Sequence, residues 1–348
     1  MKRLMIKTLV AAAALAVAGV AAAQDKTFKL ALQNPKGHPL VTGAEKFAEL
    51  VAAKSGGRLK VNLFPGGTLG GDAQTVSASQ GGTIEMVMLN SGILASQVKD
   101  FEVYDFPFMF ANGREADAVV DGPFGQKMHA RLADKNLIGL AYFELGFRNI
   151  TNSRKPIVNV EDIAGLKLRV IPNAINVDWV KALGANPTPL PWPEVYGALE
   201  QKAVDGQENP VPTINSAKLY EVQKHLVLSN HQYNPQSVII SKKFWDKLTP
   251  AEQKILQEAA TESAKYQREQ ARSQAASLLD NLKKNGMQVT ELSAAEVGKM
   301  RDKLRPVTAK YAVTVGQETV QEVQAVLDKV RSAPAAAAPA AKPAKAGK

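Results

Sequence analysis

One segment near the end of the chain limits the folds open to it more than any other. Thr249 and Glu252 have the spacing of a capping box, Pro250 takes the first helical position, and neither proline nor glycine returns until Gly286. The segment predicts one uninterrupted helix from Thr249 to about Lys284, roughly 50 Å long at 1.5 Å per residue. Such a helix outruns a single small lobe and can brace two. Ser293 and Glu296 repeat the capping signal and open another helix.

Upstream, apolar alternation and helical spacing take turns. Phe28, Leu30 and Leu32 share one face of a strand over Thr27 to Gln33, Leu59 to Phe64 repeats that alternation, and Val41 to Lys54 between them has helical periodicity. This is a βαβ unit. Further strands are expected at Glu85 to Leu89, Ile138 to Phe143, Leu166 to Val170, Leu226 to Asn230 and Ser237 to Ser241, with helices in the intervals. Long helices following βαβ units imply a hinged α/β protein and not a closed barrel. No fixed-period repeat is visible.

The N-terminus reads as a secretory signal peptide. Lys2, Arg3 and Lys7 supply a basic region, Thr8 to Val20 an apolar one, and Ala21-Ala22-Ala23 a small-residue cleavage site before Gln24. The apolar run is short for a membrane span, and no later segment offers a second one. An exported, periplasmic protein is expected. The chain has no cysteine, which excludes disulfides and thiolate metal sites. From Ser332 onward the chain becomes an Ala/Pro/Lys tail without apolar periodicity, expected to be disordered. The formal charge of +10 invites a nucleic-acid reading, but three lysine or arginine residues lie in the signal segment and three lysines in the tail, leaving +4 for the body. That is an ordinary surface balance, and no nucleic-acid partner is expected.

Enzyme signatures are weak. The loop PGGTLGGD, Pro65 to Asp72, lacks the GK[ST] ending of a phosphate cradle and reads as a turn between strand and helix. There is no GxSxG elbow and no HExxH. The histidines at 38, 129, 225 and 231 are scattered, with His129 expected on a helix surface and His38 in a loop after the first strand, where ligands bind in α/β sheets. Asp205 and Glu208 read as turn-fixing and capping residues before they read as an acid/base pair. No cofactor, metal or catalytic residue is expected. Between residues 165 and 210, however, Arg169, Trp192 and Asn209 bring together a guanidinium, an aromatic face and an amide, the chemistry of a carboxylate-binding pocket.

The motifs ELGFRNITNSRKPI, GLKLRVIPN, PTPLPWPEVYGAL, AVDGQENP and LYEVQKHL, with FPGGTLGGD before them and the long helix after, occur in order over the mature body. Together they resemble the DctP-type solute-binding proteins of tripartite ATP-independent periplasmic (TRAP) transporters. The resemblance implies a two-lobed periplasmic-binding-protein-like α/β fold, with a hinge, a ligand cleft between the lobes and a long bracing helix. It also implies a small organic acid as ligand and the integral-membrane permease subunits of a TRAP transporter as partners. The lobes are expected at 24–145 plus about 234–274 and at 146–233 plus about 275–331, flanked by the signal peptide, 1–23, and the tail, 332–348. A monomer is expected.

By the same resemblance Arg169 pairs with the substrate carboxylate, as a planar, always-charged fork can. Arg148 matches a second family arginine, with a structural ion pair as its rival reading. Asn209 matches a ligand-bonding amide, and Trp192, stiffened by Pro191 and Pro193, stands where an aromatic covers the ligand, with core packing as the alternative. Asn90 replaces the glutamate of sialate-binding members, which argues against sialate. Asn34, His38 and Asp72 fall in loops that line the cleft in relatives, and Asn149, Asn173, Asn234 and Gln236 are further polar candidates. This set points to a monocarboxylate with hydroxyls, such as a hexuronate or an aldonate. A C4-dicarboxylate or aromatic acid, the binding protein of an ATP-driven transporter, and a periplasmic enzyme acting on organic acids are the alternatives.

Overall fold

The computed structural model describes residues 25–333. The signal segment, 1–23, and the tail from 334 onward lie outside the described residues; Ser332, where the tail was expected to begin, instead closes the last helix.

The first βαβ unit forms as its periodicity predicts. Strand β1 (Lys26–Leu32), helix α1 (Pro39–Lys54) and strand β2 (Leu59–Phe64) follow one another, and β1 and β2 pair in parallel from Lys26 opposite Leu59 to Ala31 opposite Phe64. Helix α2 (Asp72–Gly81) then returns the chain to β3 (Met86–Asn90), parallel to β1 on its other side. Helices α3 (Gly113–Val120) and α4 (Pro123–Ala130) lead into β4 (Leu137–Asn152), and β5 (Lys167–Val170), α5 (Ala174–Ala182), β6 (Asn186–Pro189), α6 (Val195–Glu200), β7 (Gly206–Asn209) and α7 (Val211–Ser216) build the other half. Strand β8 (His225–Ser241) and the short helix α8 (Lys242–Trp245) come next, followed by α9 (Pro250–Lys284), β9 (Gln288–Glu291), α10 (Ala294–Val315) and α11 (Gln317–Ser332). The sheet runs in the order β2-β1-β3-β8-β4-β7-β5-β6, with β9 also paired to β8. This is a two-lobed α/β fold whose halves share the long antiparallel pair β4 and β8.

That shared pair corrects the sequence-based boundaries. The strands expected at Leu226 to Asn230 and Ser237 to Ser241 are one strand, and the one expected to stop at Phe143 continues to Asn152. Pro235 lies inside β8, where a proline is tolerated because the strand is irregular there. Here Glu144 opposes Pro235 just before a register shift, and Gly146 takes φ +115° within it.

A buried cluster around Phe28, Phe47 and Leu256 lies under α1 and the first part of α9, and a smaller one around Leu199, Ile214 and Leu282 lies under the far end of α9. The largest cluster is continuous from Val87 and Phe101 to Leu168, Trp179 and Leu304. Fully buried side chains of this size each contribute roughly 1.5–3 kcal/mol relative to exposure, so the halves are bonded by packing as well as by strands. Helix α11 packs on α3: Arg331 pairs with Glu115 at 2.9 Å, and Arg114 donates to the Val330 carbonyl at 2.8 Å. His129, expected on a helix surface, is buried and stacked on Tyr142 with ring centroids 3.8 Å apart. Its partner strand β4 covers the face that helix periodicity alone left open. No described helix is long and apolar enough to cross a membrane.

Candidate functional site

Parallel strands place loops at their carboxyl ends, where α/β sheets open crevices. The ends of β1, β3, β5 and β7 converge here on a cavity of about 480 Å³. One wall carries Gln33, Asn34, Asp72 and Asn90; the other carries Arg148, Arg169, Trp192, Asn209 and Thr213, and Gln236 lies between them on β8. The Pro65 to Asp72 loop forms a turn between strand and helix, as expected, and approaches the opposite wall closely. At Gly67, φ is +70° and an added Cβ would lie 3.0 Å from the Pro193 ring, so glycine serves here both for its backbone angle and for the approach.

The two arginines differ sharply. Arg148, 1 % exposed, is clamped by Glu208: Nη2 donates to Oε1 at 2.7 Å, Nε donates to Oε2, and Nη1 donates to Asn234 Oδ1 at 2.6 Å. The structural ion pair, the rival reading for Arg148, is therefore present. Glu208 corrects its own reading too, since it is a buried strand residue and not a turn or cap. Burial would push its carboxyl up, but the Arg148 charge and His231, whose Nε2 lies 3.4 Å from Oε2, bring it down to about 2. Arg169, 3 % exposed, has no carboxylate within 4.0 Å among the described residues. Its Nε and Nη2 donate to the Leu190 carbonyl at 2.9 and 2.6 Å, and its guanidinium carbon lies 5.8 Å from the centre of the Trp192 ring. Burial lowers its pKa to about 10, with Glu208 and Asp72 opposing and Arg148 reinforcing that fall. At neutral pH it remains a buried, charged fork facing a cavity.

Asn34, Asp72, Asn90, Trp192, Asn209 and Gln236 are thus brought together with the arginines as the sequence implied. Four other candidates are not on the wall, each because local structure uses its polar atoms. His38 is the N-cap of α1, with Nδ1 accepting from Leu40 N at 3.0 Å and Nε2 bonded to Thr213 Oγ1 at 3.0 Å. Asn173 caps α5 and donates to Asp105. Asn149 accepts from the Asn230 amide at 3.1 Å, and Asn234 lies behind Arg148. Asp205, read as a turn residue, does fix the local backbone by accepting from Lys167 N at 2.9 Å. Sequence reasoning missed Gln33 and Thr213 on the wall, and Glu208 and Asp105 behind it. The position of Gln33 at the carboxyl end of the first strand was the available signal.

A cleft lined this way presents amides, one aromatic ring, a charged fork and the carboxyls of Asp72 and Glu194, and its Thr213 hydroxyl is bonded to the helix-capping His38; among the described residues no cluster of His, Asp or Glu could hold a metal. Fold and site together define a binding protein of the two-lobed periplasmic kind. Residues 30–314 match the DctP family, described as bacterial extracellular solute-binding protein, family 7, and the chain belongs to that family. It is a solute-binding protein of the TRAP type, in a family of carriers and not of enzymes. A TRAP periplasmic solute-binding protein of Ochrobactrum anthropi is 55 % identical, with a TM-score of 0.79, covering 89 % of this chain and 97 % of that one. The sugar acid binding protein DctPAm of Advenella mimigardefordensis, solved with galactonate, is 40 % identical with a TM-score of 0.86, covering 88 % and 99 %. The 2,3-diketo-L-gulonate-binding periplasmic protein YiaO of Escherichia coli is 39 % identical over 246 residues, 71 % of this chain and 75 % of that protein.

Proposed function

We propose that this protein captures a hydroxylated monocarboxylate, a sugar acid such as a hexuronate or an aldonate, and delivers it to the permease subunits of a TRAP transporter. The observation that carries the reading is Arg169, a buried guanidinium facing the cavity with no carboxylate within 4.0 Å among the described residues. A buried charge of this kind is costly until an anion pairs with it. Arg148 is already paired with Glu208, so among the described residues Arg169 is the one cation lining the cleft with no carboxylate within 4.0 Å, which favours one carboxylate over two. The half-buried Trp192 can cover the carbon chain, and Asn34, Asn90, Asn209 and Gln236 can meet hydroxyls. The ligands of DctPAm and YiaO have this chemistry.

In this reading the signal peptide is removed near Ala23, the mature chain acts as a monomer in the periplasm, and the lobes meet along β4 and β8. A ligand touching both walls stabilises the closed arrangement, and closure is what the permease reads. A thermal-shift screen of galactonate, galacturonate, succinate and benzoate tests the proposal. A ligand at a hundred times its dissociation constant stabilises the fold by about 2.7 kcal/mol. The sugar acids are expected to raise the melting temperature most. A larger shift with succinate would move the assignment to dicarboxylates, and chemical turnover of a bound acid would exclude a carrier.

A further inference from the structure

A second cavity, of about 720 Å³, lies behind the shared strand pair. Phe147 lines it and Arg148 lines the ligand cleft, and consecutive residues of a strand point to opposite faces, so the two cavities sit on opposite sides of β4. Three rings, Phe108, Phe110 and Phe147, form an aromatic wall. Phe108 is held at φ +55°, its amide donating to the His231 carbonyl at 2.8 Å, a backbone angle rare for a bulky side chain. The Arg301 guanidinium carbon lies 5.3 Å from the centre of the Phe108 ring, and neither that guanidinium nor the Asn230 side-chain amide has a hydrogen-bond partner among the described residues. Aromatic-lined grooves accept proline-rich extended segments, whose rings pack on the aromatics and whose carbonyls, unbonded within the segment, take up such donors.

The described chain leaves its last helix beside this cavity. Arg331 is part of the wall and donates to the Met109 carbonyl at 3.2 Å, while Arg114 donates to the Ala333 carbonyl at 3.4 Å, so the exit is pinned against the segment that carries Phe108 and Phe110. Ala333 takes φ −73° and ψ 137°, the values of a polyproline II helix, as a residue before proline favours. Residues 334–348 follow, with prolines at 334, 339 and 343 and no other apolar side chain larger than alanine. At 3.1 Å per residue they reach about 45 Å, ample to turn into the cavity. We propose that this Ala/Pro/Lys tail docks into the rear cavity of its own chain, its prolines on the aromatic wall and its carbonyls accepting from Arg301 and Asn230. Glu291, which lines the cavity and has no cation within 4.0 Å among the described residues, is the partner for Lys342 or Lys345. A short tether supplies an effective concentration of the order of millimolar, so contacts too weak to hold a free peptide still fill the cavity about half of the time.

The chain contains no cysteine, so a nitroxide attached to Ala341→Cys in the mature chain reports on the tail alone. Amide NMR signals of Phe110, Ala111, Leu228 and Asn230 are expected to fall to roughly half of their intensity with the nitroxide reduced. A tail carrying Pro334→Ser, Pro339→Ser and Pro343→Ser keeps its length and measures what tethering does without docking; broadening there is expected to be roughly twofold weaker. Arg301→Ala, which alters an exposed side chain, is expected to weaken it likewise. Equal broadening with the proline and serine tails, or broadening undiminished by Arg301→Ala, would overturn the docking. Broadening of Asn90 and Arg169 in place of the rear amides would put the tail in the ligand cleft and overturn the assignment to the rear cavity. Mixing nitroxide-bearing chain with isotope-labelled chain that carries none separates the last alternative: broadening of equal strength in the mixture would make the contact one between two copies and overturn the docking of each tail on its own chain.

Discussion

Replacing Arg169 by methionine separates ligand recognition from architecture. The side chain is 3 % exposed and, among the described residues, its hydrogen bonds go to the Leu190 carbonyl. In the ligand-bound state its removal leaves a carboxylate buried without its partner, a loss of about 2–5 kcal/mol. At about 1.4 kcal/mol per tenfold, that is a drop in galactonate affinity of roughly 30- to 5,000-fold. In the free protein the sign reverses or vanishes. Removing a buried guanidinium that burial already disfavours, and that no carboxylate among the described residues pairs, is expected to leave the denaturation midpoint unchanged or raised. Arg169→Lys should fall between, because a single ammonium cannot reproduce the planar fork. Calorimetric titration and urea unfolding of the same preparations measure both quantities. Affinity within threefold of the original would refute the anchor, and a loss of stability matching the loss of affinity would make Arg169 a structural residue.

The remaining outcomes concern the frame around the site. Glu208→Ala should destabilise the protein by about 3–5 kcal/mol in urea unfolding, because it strands the buried Arg148 charge; a loss below about 1 kcal/mol would contradict the pairing. His38 is held neutral, burial lowering its pKa to about 3, so the folded state binds fewer protons than the unfolded one between pH 6.5 and 3. Its contribution is whole above pH 6.5 and is lost as pH falls toward 3, by up to about 1.4 kcal/mol per pH unit. His38→Asn, which keeps a capping side chain, should flatten that slope in unfolding measured across the range. Gly206→Ala would press a methyl group against the Thr151 carbonyl and within 3.0 Å of Leu168 Cδ2. A cost of about 1–3 kcal/mol is expected in thermal unfolding, as for other overpacked positions.

What could be read in advance follows from how local each signal is. The capping box at Thr249 and the first βαβ unit are local, and both form where expected. Arg169 and Arg148 were nameable from their motifs, yet only the fold reveals that one is paired and the other is not. Glu208 is the reason, and in sequence it sits beside turn residues 60 positions from its partner. Asn173 and His38 carried readable capping positions that the functional reading overrode. The continuity of β8 through Pro235 was hidden because the register shift that tolerates a proline belongs to two strands at once. His129 was misjudged for a related reason: its neighbour Tyr142 comes from another element.

Helix α9 carries one further consequence. Its first part is buried as far as Ala271, and Leu282 is buried again near its end, while no residue from 272 to 281 is fully covered. The helix behaves as a beam clamped at both ends, with a more exposed span between them that is tethered at its margins, Arg272 to Asp117 and Glu144 and Asn281 to Asn215. When the walls of the cleft approach, the clamps must turn relative to each other, and the exposed middle of that span is where the beam can flex without tearing out a fully buried side chain. Its stiffness then sets a restoring torque against which any ligand must do work, so a substitution on that exposed stretch, far from the cleft, can alter how tightly an acid is held.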